Sequence, residues 1–248
     1  MTKIGIIGFG NFGRFISKHL RENFEVFVSD VQDKTKEAEK IGVKFVEIKE
    51  AAANDIVLLA VPISSLKDVL EKIKKSLNKN SVVIDICSVK IMPCKWMKEI
   101  LPSSIQVIGA HPLFGPQSGK NGIKGLKIVI CPVRAKEQAI AEISKLFKNI
   151  GLEIILTTPL KHDKAMASSH ALLHLIALPL ARIGLKDQKI KISALDTALE
   201  LVDIFKEDSL QLFQDIQVFN PESRKIRKKF LNEILTLDKE LDNLKEVS

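Results

Sequence analysis

Apolar residues fall along this chain in two different rhythms. Through the first 158 residues, short β-branched runs recur at 3–7, 25–30, 43–46, 55–61, 81–86, 105–110, 127–132 and 152–157. Stretches of helical period separate most of them, notably 11–22, 34–41, 64–76 and 135–149. Uniformly apolar strands that alternate with amphipathic helices predict an α/β fold, a Rossmann-type, doubly wound and mostly parallel sheet. From Pro159 the strands stop, and 160–185, 193–205, 208–219 and 222–245 all read as helices. Asp208-Ser209 and Asn220-Pro221-Glu222 are helix-start signals, with Pro221 suited to a first helical position. The expected organisation is a sheet domain over 1–158 followed by a smaller all-helical domain over 159–248.

Composition narrows the class. Of 248 residues, 46% are apolar and 27% charged, an ordinary mix for a folded chain with a real core. The most apolar stretch, Ala171 to Leu185, contains His174, Pro179 and Arg182. It falls short of the ~20 clean apolar residues of a membrane span, and reads as a buried or interface helix that pairs two copies as a homodimer. The N-terminus enters a strand at once, so no secretory leader is expected. Cys87, Cys94 and Cys131 are odd in number and lack C-x-x-C spacing. They predict neither a disulfide framework nor a metal site, and fit a cytoplasmic chain.

Charge is uneven. Residues 159–248 carry 14 basic and 14 acidic side chains, so the whole excess of +8 belongs to residues 1–158. Lysines such as Lys67, Lys72, Lys74 and Lys75 lie scattered on helices with little aromatic interleaving, which argues against a nucleic-acid partner. An anionic cofactor and an anionic substrate account for the excess.

Nine of the twelve glycines sit in two stretches, 5–13 and 109–125. Gly8-Phe9-Gly10-Asn11-Phe12-Gly13 is a G-x-G-x-x-G that follows a strand and opens a helix, and Asp30 ends the next strand, 22 residues past Gly8. That is the context of the dinucleotide fingerprint. Gly8 allows the turn, Gly10 lets backbone N–H groups approach a pyrophosphate, and Gly13 lets helix pack on strand. Asp30 accepts from the ribose hydroxyls and repels a 2′-phosphate, so NAD is the expected cofactor. Ala60-Val61-Pro62 ends the fourth strand, where it should line the nicotinamide side.

The second cluster lies beyond two more strand ends. One runs into Cys87-Ser88-Val89-Lys90, the other into His111-Pro112-Leu113-Phe114-Gly115-Pro116 and Gln117-Ser118-Gly119-Lys120. A histidine fixed between a strand end and a proline, beside a nicotinamide, is suited to take a hydroxyl proton as hydride leaves; it is also suited to cap the turn.

These residues carry a resemblance to the prephenate/arogenate dehydrogenase family. It rests on Gly8–Gly13, Asp85-Ile86-Cys87-Ser88-Val89-Lys90, Gly109-Ala110-His111-Pro112-Leu113-Phe114-Gly115-Pro116, His162-Asp163, and Ser169-His170-Ala171-Leu172-Leu173-His174, in that order. The stretch from Leu199 through Asn220 looks like the plant-type arogenate enzymes. The resemblance implies NAD-dependent oxidative decarboxylation of a small anionic cyclohexadienol. In it His111 matches the catalytic base, Ser88 the serine beside it, and His174 a substrate-contacting histidine of the helical domain. His170 is read as structural, and His162-Asp163 as a helix-start feature or a site feature.

One departure stands out. Where many bacterial members have a helical-domain arginine, this chain reads Ser193-Ala194-Leu195-Asp196-Thr197. Lys90, Lys120, Lys191 or a second subunit is then left to hold the substrate carboxylate. Gln117 follows the H-P-x-F-G-P run, where arogenate-using members commonly carry an acid. A neutral amide there favours prephenate, with arogenate as the alternative substrate. Two other readings remain: a β-hydroxyacid dehydrogenase, which relies on a helical-domain lysine, and a non-catalytic NAD-sensing module, which has no need of Ser88, His111 and His174 together.

Overall fold

Eight strands assemble in the order β3-β2-β1-β4-β5-β6-β7-β8. They are β1 (Lys3–Ile7), β2 (Glu25–Ser29), β3 (Lys44–Phe45), β4 (Ile56–Leu59), β5 (Val82–Asp85), β6 (Gln106–Pro112), β7 (Lys127–Arg134) and β8 (Glu153–Leu156). The computed structural model describes residues 2–206 and 208–245. Every neighbouring pair is parallel except β6 with β7. β1 and β4 adjoin at the centre, where the strand order reverses. Right-handed crossovers then send the helices of the two halves to opposite faces and leave a crevice at the carboxyl ends of β1 and β4. The central strands are buried because both faces are covered: Ile4, Ile6, Val57, Leu59, Val83 and Ile84 are fully excluded from solvent.

The helices between strands are α1 (Asn11–Leu20), α2 (Thr35–Ile41), α3 (Ile48–Ala52), α4 (Ile63–Ile73), α5 (Ile91–Ile100) and α6 (Glu137–Asn149). Amphipathic spacing is the cause where the sequence predicts them; α1, for example, buries Gly13, Ile16, Ser17 and Leu20 on one face. Two are not predicted by that spacing. α3 has only five residues, and Pro93 obscures α5. Pro93 stands in the first turn of α5, where a missing N–H breaks no helical bond.

β6 also runs further than expected. β5 stops pairing at Asp85, opposite Gly109, while β7 pairs on through His111 and Pro112. The Leu113 N–H bonds Lys127 of β7, so by alternation the nitrogen of Pro112 faces the side that β5 has left vacant. A proline is tolerated there because no ladder bond is lost.

The chain divides into two units, Met1–His162 and Asp163–Ser248. The division falls inside α7 (Pro159–Met166), so the first turn of that helix goes with the sheet. In the second unit a π-turn (Ala167–Ala171) joins α7 to α8 (Leu172–Arg182). Then come α9 (Ala194–Lys206), α10 (Leu210–Phe219) and α11 (Pro221–Lys245). Both start signals operate: Ser209 accepts from the Leu212 N–H at 3.1 Å, and α11 begins at Pro221. Among the described residues no helix is long and apolar enough to cross a membrane.

Candidate active site

The first glycine cluster forms the turn from β1 into α1. Gly8 sits at φ +100°, in the left-handed region, and its N–H bonds the Ser29 carbonyl at 2.8 Å. A Cβ at Gly8 would strike the Ala60 carbonyl, and one at Gly13 would strike the Gly8 carbonyl. A Cβ at Gly10 would meet nothing. Gly8 and Gly13 are therefore needed for packing, whereas Gly10 keeps space open in front of the helix. Gly10 is also the N-cap of α1, with no side-chain cap. Its orphan N–H groups and helix dipole form a ready anion cradle that fits the pyrophosphate of a dinucleotide.

Asp30, just past β2, folds back on this turn. One carboxylate oxygen accepts from the Phe9 N–H at 2.7 Å, the other from the Gln32 N–H at 3.0 Å. Lys34 stands 3.5 Å away. Burial works against the charged carboxylate, but the two N–H donors and Lys34 outweigh it and hold the Asp30 pKa below its usual value. A carboxylate has about four acceptor positions, so Asp30 keeps capacity for a ribose hydroxyl. Phe9 is placed differently from its reading as a cofactor contact: its ring is in the core and its N–H is given to Asp30. Asn11 lies exposed at the helix start, Phe12 is half-buried beside it, and Ala60-Val61-Pro62 turns out of β4 against Gly8.

The second cluster comes to the same place. Phe114 packs on Phe12 at 6.3 Å and Phe15 at 6.2 Å, both on α1. Gly119 lies against Phe15, close enough that a Cβ would collide with the ring. The two glycine-rich loops are thus held side by side. His111 lies two residues beyond the last β5–β6 pair, and Ser88, half-buried, three beyond the end of β5. Gln117 and Lys120 are exposed on the turn after Pro116.

His111 is buried at 5% exposure, and its Nδ1 lies 2.8 Å from Nε2 of His162, itself 3% exposed. The rings meet edge to face. That separation suits one hydrogen bond, and the tautomer with the proton on His111 Nδ1 leaves Nε2 as the nitrogen that exchanges with a substrate. Sequence reasoning misses this pairing, because in the sequence His162 is only part of a dipeptide at a helix start.

Lys90 requires a correction. Expected as a candidate for the substrate carboxylate, it is instead fully buried. Its ammonium pairs with the buried Asp85 carboxylate and donates to the Ala110 carbonyl at 2.6 Å. Ala110 lies just past the end of β5, so Lys90 takes the place of the missing strand partner next to His111. Burial works against the Lys90 ammonium, but Asp85, with Cys87 and Cys94, more than offsets it and raises its pKa. Lys191 is committed as well, to Asp187 at 2.7 Å and Asp196 at 2.6 Å.

His174 belongs to the second unit. It is buried, and burial together with the nearby His170 lowers its pKa to about 4. Phe205 stacks on it at 4.7 Å and Phe213 meets it edge-on at 4.9 Å.

Comparison with known proteins places the chain in a family. The family described as "Prephenate dehydrogenase, nucleotide-binding domain" matches residues 12–156. The chain is 30% identical over 229 residues to the chloroplastic arogenate dehydrogenase 2 of Arabidopsis thaliana, covering 88% of this chain and 64% of that protein. It is 27% identical over 246 residues to a probable arogenate/prephenate dehydrogenase of Methanocaldococcus jannaschii, covering 93% and 54%. It therefore spans between half and two thirds of the length of these relatives. The fold matches that of prephenate dehydrogenase from Aquifex aeolicus, with TM-score 0.78, 18% identity, and 97% and 92% of the two chains covered.

Proposed function

The chain belongs to the prephenate/arogenate dehydrogenase family, and from that premise we propose that it oxidatively decarboxylates prephenate to 4-hydroxyphenylpyruvate with NAD. The observation that carries the proposal is His111: a buried imidazole paired with His162 at the carboxyl end of β6, on the segment whose Phe114 packs on the helix that the Gly8–Gly13 turn opens. The residues of that cradle, with Asp30 and the Ala60-Val61-Pro62 turn, are proposed to hold the cofactor. NAD bound there supplies the acceptor for the hydride of the carbinol carbon.

The chain's own groups do the rest. His111 Nε2 takes the ring-hydroxyl proton while Nδ1 stays bonded to His162, so the imidazolium forms without reorientation. Ser88 is proposed to orient the substrate, and Lys120, exposed on the turn after Pro116, to meet a carboxylate. The ring carboxylate leaves as carbon dioxide and its bonding electrons complete the aromatic ring. The gain of aromatic stability drives the step, so the protein mainly positions and polarises.

Gln117 supports prephenate as the preferred substrate, because its neutral side chain gives no counter-charge to an ammonium. The arogenate names of the plant and archaeal relatives favour the second reading, arogenate as substrate. A homodimer through the second unit is part of the proposal, supported by α9, which buries none of its residues, and by exposed Ile183, Ile190, Ile192 and Ile204. Cytoplasmic location is also proposed, from the odd number and the spacing of the cysteines in the sequence.

The test is NADH absorbance with prephenate or arogenate and NAD. Turnover with neither substrate overturns the proposal. His111→Asn should keep NAD binding and lower turnover by roughly 10²–10⁴-fold, the usual effect of losing a general base; a loss below tenfold removes His111 from the role.

A further inference from the structure

The second unit brings together three side chains with metal-ligating atoms, one of which, His174, the family resemblance reads as a substrate contact. His170 and His174 lie four residues apart, one in the π-turn and one in α8. Their rings are nearly parallel, 8° apart, with centroids at 6.2 Å. Asp208, in the link between α9 and α10, joins them. One nitrogen or carboxylate oxygen from each of the three residues lies within 4.8 Å of the other two.

His174 is 3% exposed, yet its Nδ1 has no hydrogen-bond partner. The Asp208 carboxylate stands 3.9 Å from it, too far for a hydrogen bond. A buried nitrogen aimed at a carboxylate that does not reach it is a costly arrangement unless something sits between them. The surroundings suit that reading. Phe205 stacks on both rings, at 5.9 Å from His170 and 4.7 Å from His174, and Phe213 closes the other side of His174. These aromatic walls limit ring rotation and keep the donors turned toward one point, as the apolar shell of a metal centre does. A π-turn widens the helix locally, and such turns recur at functional sites.

From this geometry we infer that His170, His174 and Asp208 bind one late first-row divalent cation, with Zn²⁺ the best match. Two imidazoles and a carboxylate are the donors such ions select, whereas Mg²⁺ and Ca²⁺ want oxygen alone. Around tetrahedral Zn²⁺, metal–ligand distances of about 2.0–2.1 Å put donors roughly 3.4 Å apart. The cluster must draw in by about an ångström, which small side-chain rotations supply. Three protein donors leave a fourth position for water or an anionic oxygen. The inference does not rest on the dehydrogenase proposal, and it is read by binding alone.

The full chain, first stripped with chelator, is titrated with Zn²⁺ by calorimetry and with Co²⁺ while the visible spectrum is followed. One saturable Zn²⁺ site per chain is expected, of low micromolar affinity or tighter, with Co²⁺ giving the intense visible bands of a low-coordinate site. His170→Ala and Asp208→Asn replace the two less buried donors. Each should keep the wild-type circular dichroism, weaken Zn²⁺ at least tenfold and remove the Co²⁺ bands. Absence of saturable Zn²⁺ binding overturns the inference. So does binding that changes less than twofold in both variants, which would assign the ion to other donors.

Discussion

Replacing His162 by leucine tests whether His111 is held as a base by its neighbour. The two ring nitrogens lie 2.8 Å apart and both residues are buried, so water cannot replace the lost partner. A buried polar group left without its partner costs about 1–3 kcal/mol. If that cost falls on the imidazolium that forms in the transition state, kcat/KM drops about 5-fold to 150-fold. NAD affinity should not change, because the glycine turn and Asp30 are untouched. With the proton on His111 Nδ1, His162 accepts from it and stabilises charged His111. Its loss should therefore lower the apparent pKa of the acid limb, moving that limb to lower pH. His162→Gln keeps an acceptor oxygen and should recover most of the rate. The assay is initial NADH formation across pH, with thermal unfolding to confirm folding. A folded His162→Leu protein within twofold of wild type, with an unmoved acid limb, would refute the positioning role.

Three further outcomes are expected. Lys90→Met leaves the Asp85 carboxylate buried without its counter-charge and should lower stability by about 3–5 kcal/mol; an unchanged urea midpoint would show that the pair is not buried as described. His174, with a folded pKa of about 4 against an ordinary 6.5, resists protonation only in the folded state. Its contribution is complete above pH 6.5 and is lost as pH falls toward 4, by about 3 kcal/mol in all. His174→Phe should flatten that part of the stability–pH curve, and identical slopes would show that His174 is not buried neutral. Asp30→Ser removes a charged acceptor from the Phe9 and Gln32 N–H groups. It should weaken NAD roughly tenfold to 150-fold and relieve rejection of NADP; a wild type that already prefers NADP would unseat Asp30 from the ribose.

The parts of this molecule that are legible in its sequence are those set by local chemistry. The order of the strands and of all helices but α3 and α5 follows from period, and Gly8–Gly13 with Asp30 from a spacing that backbone geometry imposes. α5 is hidden because Pro93 reads as a breaker unless its place in the first turn is known. The role of Lys90 is obscured for a different reason. A lysine after a strand looks like a solvent-facing charge, and only the early end of β5 beside Ala110 turns it inward. The His111–His162 pair joins residues 51 apart in sequence. Its one visible signal is a histidine placed where strand rhythm gives way to helix rhythm.

The Lys90–Asp85 pair also sets how the sheet responds to heat. Removing charges from water is less unfavourable at high temperature, because ion hydration carries a large negative entropy. Apolar burial shows no matching gain. A chain carrying Lys90→Met and Asp85→Leu together escapes the cost of burying two charges but leaves the Ala110 carbonyl and the Cys87 N–H without those partners, and it should lose ground to the natural chain on warming. The ion pair that anchors the strand before His111 is thus favoured most when the molecule is hot, and the histidine's backbone should be among the last parts of the sheet edge to loosen.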